Sequence, residues 1–120
     1  MFSDVIKAKL EYCLEHIKAI EEYFKNISTE QDFRVINNGL NYDGILMRLQ
    51  ALTELIKRIS QNHPEIIEAL NYPHIQDVIK FRDYVSHHYE KLGHEIVFDI
   101  CSKNIPELKD SLKNLLEKNV

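Results

Sequence analysis

The stretch SDVIKAKLEYCLEHIKAIEEYFK, residues 3–25, places Ile6, Leu10, Cys13, Ile17, Ile20 and Phe24 at spacings of four, three, four, three and four. That spacing keeps returning to one face of a helix with 3.6 residues per turn. It predicts an amphipathic helix along the whole stretch, with Ser3 or Asp4 capping its start. Lys7, Lys9, Glu11, Glu15, Lys18, Glu21 and Glu22 populate the other faces. A stripe of this kind is more often core than partner seam, and it makes this helix the first member of a bundle.

Downstream, Ser28 followed three residues later by Gln31 reads as a capping box for a second helix, which the run Asn37, Asn38, Gly39 then perturbs. Two outcomes stay open there: a helix continuing through Gly39, or a break and a restart. From Asn41 helical spacing resumes through Ile45, Leu46, Leu49, Leu52, Leu55, Ile56 and Ile59. The stop falls at Ser60 to Pro64, where proline pushes His63 out of helical backbone and itself opens a short helix, PEIIEALNY. Another helix is expected from about His74 to Lys91, closed by Gly93, and a last one from His94 or Glu95, disturbed at Pro106 and resuming through Leu108, Leu112, Leu115 and Leu116. Short connections favour antiparallel neighbours, so the expectation is an all-α, up-and-down bundle of four or five helices.

Composition agrees. With 120 residues the chain is of single-domain size, and one domain over 1–120 is expected. Three Gly and three Pro supply too little turn chemistry for a many-stranded sandwich or barrel. A net charge of -4 argues against broad, sequence-independent nucleic-acid affinity, so any RNA contact has to be local. Cys13 and Cys101 stand far apart and suggest neither a disulfide framework nor a zinc knuckle. No apolar run approaches the roughly 20 residues that cross a bilayer. The acidic residues near the N-terminus do not suit a signal peptide, and a cytoplasmic location is expected.

The chemistry concentrates in KFRDYVSHHYEK, residues 80–91. Asp83 and His87 are four apart and share a helix face, so the carboxylate can orient the imidazole and favour its charged form. Arg82 and His87 diverge by about 140° at 100° per residue, so one helix aims them poorly at a small substrate. A two-fold dimer would let two Arg and two His converge on one cleft. Such a cleft suits RNA cleavage, in which the 2'-hydroxyl loses a proton and attacks phosphorus. Histidine serves as base or acid and arginine forks onto phosphate, with no metal needed. The bland alternative makes Arg82 and Asp83 surface charges and Tyr89 a partly buried aromatic. A third reading, His87, His88 and His94 as metal ligands, is poorly served because the adjacent pair diverges and no His pair has i, i+4 spacing. His16, His63 and His74 read as structural.

The string Arg82, four residues, His87, one residue, Tyr89 resembles the R-x-x-x-x-H-x-Y signature of HEPN-domain proteins, specifically the HepT-like toxins. Asp83 is the polar residue after the arginine. NYDGILMRLQALTEL, residues 41–55, is similar to a family helix that opens with a Tyr-Asp pair and carries an acidic residue further on, here Glu54; IVFDICSKNIPELKDSL, residues 96–112, is similar to the following one. The likeness runs from about Lys7 to Leu116. It implies the toxin half of a two-gene toxin-antitoxin module, a ribonuclease independent of metal and of any cofactor, and active as a homodimer on mRNA or tRNA. Arg82 and His87 would be catalytic and Asp83 supporting. Tyr89 would accept AMP from a nucleotidyltransferase antitoxin of the MNT type, which places charge and bulk beside Arg82. Glu90, Leu92, Gly93 and His94 depart from the family's pattern after the tyrosine, the family's tryptophans are absent, and Gly44 and Thr53 stand where alanine is common. The alternative is a non-catalytic helical partner or substrate-binding subunit of a nucleotidyltransferase.

Overall fold

The computed structural model describes residues 2–88 and 93–118, with the side chains of 85–88 outside that description. Helix α1 spans Asp4–Phe24, and the Ser3 hydroxyl accepts the Ile6 backbone N–H at 3.2 Å as its cap. Leu10, Cys13, Ile17 and Ile20 are buried, while Ile6 and Phe24 pack against the core at its ends. The stripe read from spacing is therefore the core face.

The next stretch differs from the expected capping box. The Asp32 carboxylate, not Ser28 and Gln31, does the capping, accepting the backbone N–H groups of Ser28 at 2.8 Å and Thr29 at 3.0 Å. A residue inside the turn reaches back, because its carboxylate satisfies two orphan donors at once. Helix α2, Asp32–Val35, is one turn long and exists to seat Phe33, which is 1% exposed. At Asn37, Asn38 and Gly39 the backbone turns left-handed, with φ of 49°, 56° and 85°, so the helix breaks and restarts. Asparagine and glycine are the residues that tolerate this region best. The turn is pinned by Asn37 donating to the Asn41 side chain at 2.8 Å, and by Asn41 donating to the Tyr23 carbonyl at 3.0 Å.

Helix α3, Leu40–Asn62, is the central element, packed against α1 on one side and α5 on another. Ile45, Leu46, Leu49, Leu52, Ile56 and Ile59 are buried in it, and Leu55 is partly so. The Thr53 side chain is buried as well and donates its hydroxyl to the Leu49 carbonyl at 2.8 Å, so it costs no unsatisfied group. Helix α4, Pro64–Leu70, opens on its proline as expected and ends at Asn71, another left-handed asparagine with φ 52°.

Helix α5 spans Ile75–His88. Its expected extension to Lys91 lies outside the described residues. Gly93 has extended backbone, φ -73° and ψ 135°, and stands as the N-cap of α6, His94–Asp99, instead of a left-handed cap for α5. Helix α6 continues without a break through a wider π-turn, Ile100–Asn104, into α7, Ile105–Lys118. The π-turn is what Pro106 costs. A proline clashes with the carbonyl four residues back, here Ser102, and opening the turn relieves the clash without ending the helix. Four buried residues of α7, Ile105, Leu108, Leu112 and Leu115, close the core, and Lys109 reaches Glu21 of α1 at 3.0 Å. The described residues are all helical in their regular structure, and the long members, with short α4, make the expected five-helix arrangement.

Candidate active site

Helices α3 and α5 meet at Glu54 and Lys57 on one side and Arg82 and Asp83 on the other. Arg82 Nε donates to Glu54 Oε2, and Arg82 Nη1 donates to Asp83 Oδ1 at 2.8 Å. Lys57 Nζ sits 3.1 Å from the same Asp83 oxygen, and Arg58 Nε lies 3.3 Å from Glu54 Oε1. The result is a ladder of alternating sign, Arg58, Glu54, Arg82, Asp83, Lys57. Three cations against two carboxylates leave one positive charge in excess. Of the five N–H groups of the guanidinium, the two carboxylates take Nε–H and one on Nη1, and among the described residues nothing bonds Nη2. The Arg82 side chain is 28% exposed, so a phosphate oxygen can reach that edge.

The electrostatics follow from the contacts. The Arg82 hydrogen bond holds the Glu54 carboxyl below its ordinary range. Asp83 is held down by Arg82 first and Lys57 second, while Asp83 and then Glu54 push the guanidinium up. Both carboxylates have folded values below their unfolded ones, so the stability they add is present above about pH 4 and is lost as pH falls through the folded values. The difference in urea midpoint between the parent and Asp83→Asn is therefore expected to be constant from pH 8 to about pH 5 and to shrink below about pH 4. A difference that vanished between pH 7 and pH 6 would contradict this assignment.

Arg82 and Asp83 are both tied to α3 by ion pairs. Glu54, the acidic residue of the family-like helix, is brought to Arg82, a pairing the sequence did not announce. Lys57 was not singled out from the sequence. Its only signal there is its place three residues after Glu54, where it looks like any solvent-facing lysine. The Asp83 carboxylate accepts from Arg82 and Lys57, and the orienting contact with His87 expected of it lies outside the described residues. The α5 backbone runs through His87, five residues beyond Arg82, and its side chain, like that of His88 and the whole of Tyr89, lies outside the described residues.

The remaining histidines are engaged structurally. His94 packs edge-on against Tyr42 at 4.5 Å and Phe33 at 5.8 Å between ring centres. His63 and His74 stand 3.6 Å from Glu65 and Asp77. His16 lies 3.2 Å from Arg48. At Gly44, where alanine was the comparison, a Cβ would sit 2.6 Å from the Tyr23 ring, so glycine here is what admits that ring. Burial pushes the thiols of Cys13 and Cys101 up to about 12, which leaves them inert. No helix among the described residues is long and apolar enough to cross a membrane.

Comparison with known proteins adds the family. A protein of Methanocaldococcus jannaschii, named as a gamma-glutamylcyclotransferase and proposed RNase, is 27% identical over 113 residues, covering 94% of this chain and 48% of that protein. The chain thus spans about half the length of the curated relative it matches. No solved structure matches it significantly. The family described as ribonuclease HepT-like matches residues 13–115, a span that takes in α3, α5 and the whole Arg82 ladder. On that match this chain belongs to the ribonuclease HepT-like family.

Proposed function

We propose that this chain is an endoribonuclease of toxin type, in which Arg82 and His87 cleave RNA at the cleft of a two-fold dimer. The observation that carries the reading is the guanidinium of Arg82, fixed by Glu54 and Asp83 with its Nη2 edge unoccupied among the described residues, on the helix whose backbone carries His87. Two carboxylates aligning one arginine leave it little freedom to lose on binding a phosphate, and preorganised charge of this kind is what stabilises a phosphorane.

In the reaction His87 takes the 2'-hydroxyl proton, and the oxygen attacks the adjacent phosphorus. Arg82 bears the charge of the phosphorane. The bond to the 5'-oxygen then breaks, and that oxygen leaves with a proton from the second imidazole of the dimer. The products are a 2',3'-cyclic phosphate end and a 5'-hydroxyl end. The nucleophile belongs to the substrate, so the protein has only a base, an acid and a cation to supply.

Control falls to Tyr89. Its oxygen attacks the α-phosphorus of ATP held by an MNT-type nucleotidyltransferase; the tyrosine loses its proton, pyrophosphate leaves, and AMP stays on the ring. The added phosphate competes for Arg82 and repels the RNA backbone. The family match and the relative's name, which joins an RNase to a second activity, support placing this chain on the RNase side.

The test is to compare the parent with His87→Ala on RNA, and to weigh both after incubation with the nucleotidyltransferase and ATP. Cleavage is expected to fall by about a hundredfold or more in His87→Ala. One AMP is expected on the parent and none on Tyr89→Phe. A His87→Ala protein as active as the parent would sink the catalytic reading, and AMP gain without any cleavage by the parent would favour the non-catalytic partner.

A further inference from the structure

The solvent-facing rim between α1 and α3 carries groups that the cleavage reading does not use. Along α1, Val5, Lys9, Tyr12, His16, Ala19 and Tyr23 recur at four, three, four, three and four, a second stripe beside the core one. Tyr12 is 57% exposed and Tyr23 is 37% exposed, its ring lying over Gly44 of α3. One turn along α3 from Gly44, Arg48 donates to His16 Nδ1 across 3.2 Å, since the guanidinium has no acceptor to offer. That imidazole is therefore neutral at this contact, and the arginine's charge is uncompensated there. Burial first, and Arg48 second, pull the His16 pKa down against an opposing effect of Glu15, which agrees with a neutral imidazole.

Charge is distributed around the rim unevenly. The acidic residues of α1 nearest to it, Glu11, Glu15 and Glu22, sit about 60–100° round the helix from Tyr12, on the side away from α3. In a chain of net charge -4, the rim gathers Lys9, His16 and Arg48, with Glu15 the carboxylate whose charge is felt at His16. The rest of the chain's described ladder arginines, Arg58 and Arg82, are bound by carboxylates.

We propose that this rim, Tyr12, His16 and Tyr23 of α1 with Arg48 of α3, is a track for single-stranded RNA, on which Arg48 holds a backbone phosphate and the two tyrosines stack bases. The inference rests on the ribonuclease reading and extends it from the cleaved bond to the strand around it. Flat rings interleaved with a cation are what single-strand binding needs, because every base has a π-face and every nucleotide a charge. A protein partner fits less well, since covering Arg48 with apolar surface would desolvate a charge whose hydrogen-bond partner among the described residues is a neutral imidazole. The rim also leads to the ladder. Arg48, Ala51, Leu55 and Arg58 follow one side of α3 over ten residues, about 15 Å, and Arg58 pairs with Glu54, the acceptor for Arg82.

The experiment measures binding of a fluorescein-labelled oligouridylate by anisotropy at several salt concentrations, using the full chain with His87→Ala so that the RNA survives. Adding Arg48→Gln is expected to weaken binding about tenfold and to lower the slope of log affinity against log salt by about 0.7, the loss of one phosphate contact. Adding Tyr12→Ala is expected to weaken binding about tenfold with the slope unchanged. Parent-like affinity and slope in both variants, with the parent cleaving RNA, would overturn the track and leave the ribonuclease reading intact. Conversion from dimer to monomer in sedimentation by Arg48→Gln or Tyr12→Ala would also overturn it, making the rim a subunit contact. A parent that neither bound nor cleaved RNA would remove the ribonuclease reading and the track with it.

Discussion

Arg82→Lys is expected to lower RNA cleavage by about two to three orders of magnitude while leaving the fold intact. The arginine engages Glu54 through Nε and Asp83 through Nη1, and offers a separate edge to a phosphate. A lysine carries the same charge on one rotatable point. It can reach one carboxylate or a substrate oxygen, but it has no planar fork with which to meet all three. The loss should appear in kcat, because the interaction strengthens as charge develops on the phosphorane. Stability should change little, as expected for ion pairs on solvent-accessible groups. Cleavage time courses and urea midpoints on the same preparations check both halves. Cleavage by Arg82→Lys within threefold of the parent would show that charge alone suffices and that the carboxylate ladder does not position it.

Leu52→Ala is expected to have the largest effect on stability, about 3–5 kcal/mol. Leu52 is fully buried in the middle of α3 and lines a cavity of about 160 Å³ together with Leu49, Phe81 and Leu108. Truncation removes the side chain's transfer energy and joins the new void to one that the surrounding helices already fail to fill. Collapse is hindered because α3 is held on both sides, by α1 and by α5. Against a typical total of about 5–15 kcal/mol, such a loss brings the protein close to unfolding. Urea denaturation with an unchanged m-value is the measurement; a cost below about 1 kcal/mol would mean that α5 can settle into the gap.

The two effects separate because the same pair of helices does two things. Leu52 and Phe81 line the apolar space between α3 and α5, whereas Glu54 and Arg82, nearby on the same helices, are partly exposed to water. A variant in the first group should lose stability and activity together. One in the second should lose activity alone.

Periodicity made most of the architecture legible. Ile6 to Phe24 and Ile45 to Ile59 could only be helix faces, since burying them needs a repeat near 3.6, and both became core. Pro64 and His63 announced their boundary because proline's geometry is local. The Arg82 and His87 spacing, with the likeness of its surroundings, likewise singled out α5 as the candidate helix from sequence alone.

What the tertiary structure decided were contacts between residues distant in the chain. Nothing local says that Asp32 will replace Ser28 and Gln31 as the cap, or that Pro106 will be absorbed by a π-turn, because those depend on what the helices are packed against. Lys57 looks like a solvated lysine until α5 brings Asp83 to it, and Arg48 and His16 stand 32 residues apart until α1 and α3 pair. Local pattern determined which residues are helical and which faces are buried, since backbone hydrogen bonding and hydrophobic spacing act within a few turns. Which charges meet, and so which carboxylates hold Arg82, was set by the crossing of helices that sequence spacing does not encode.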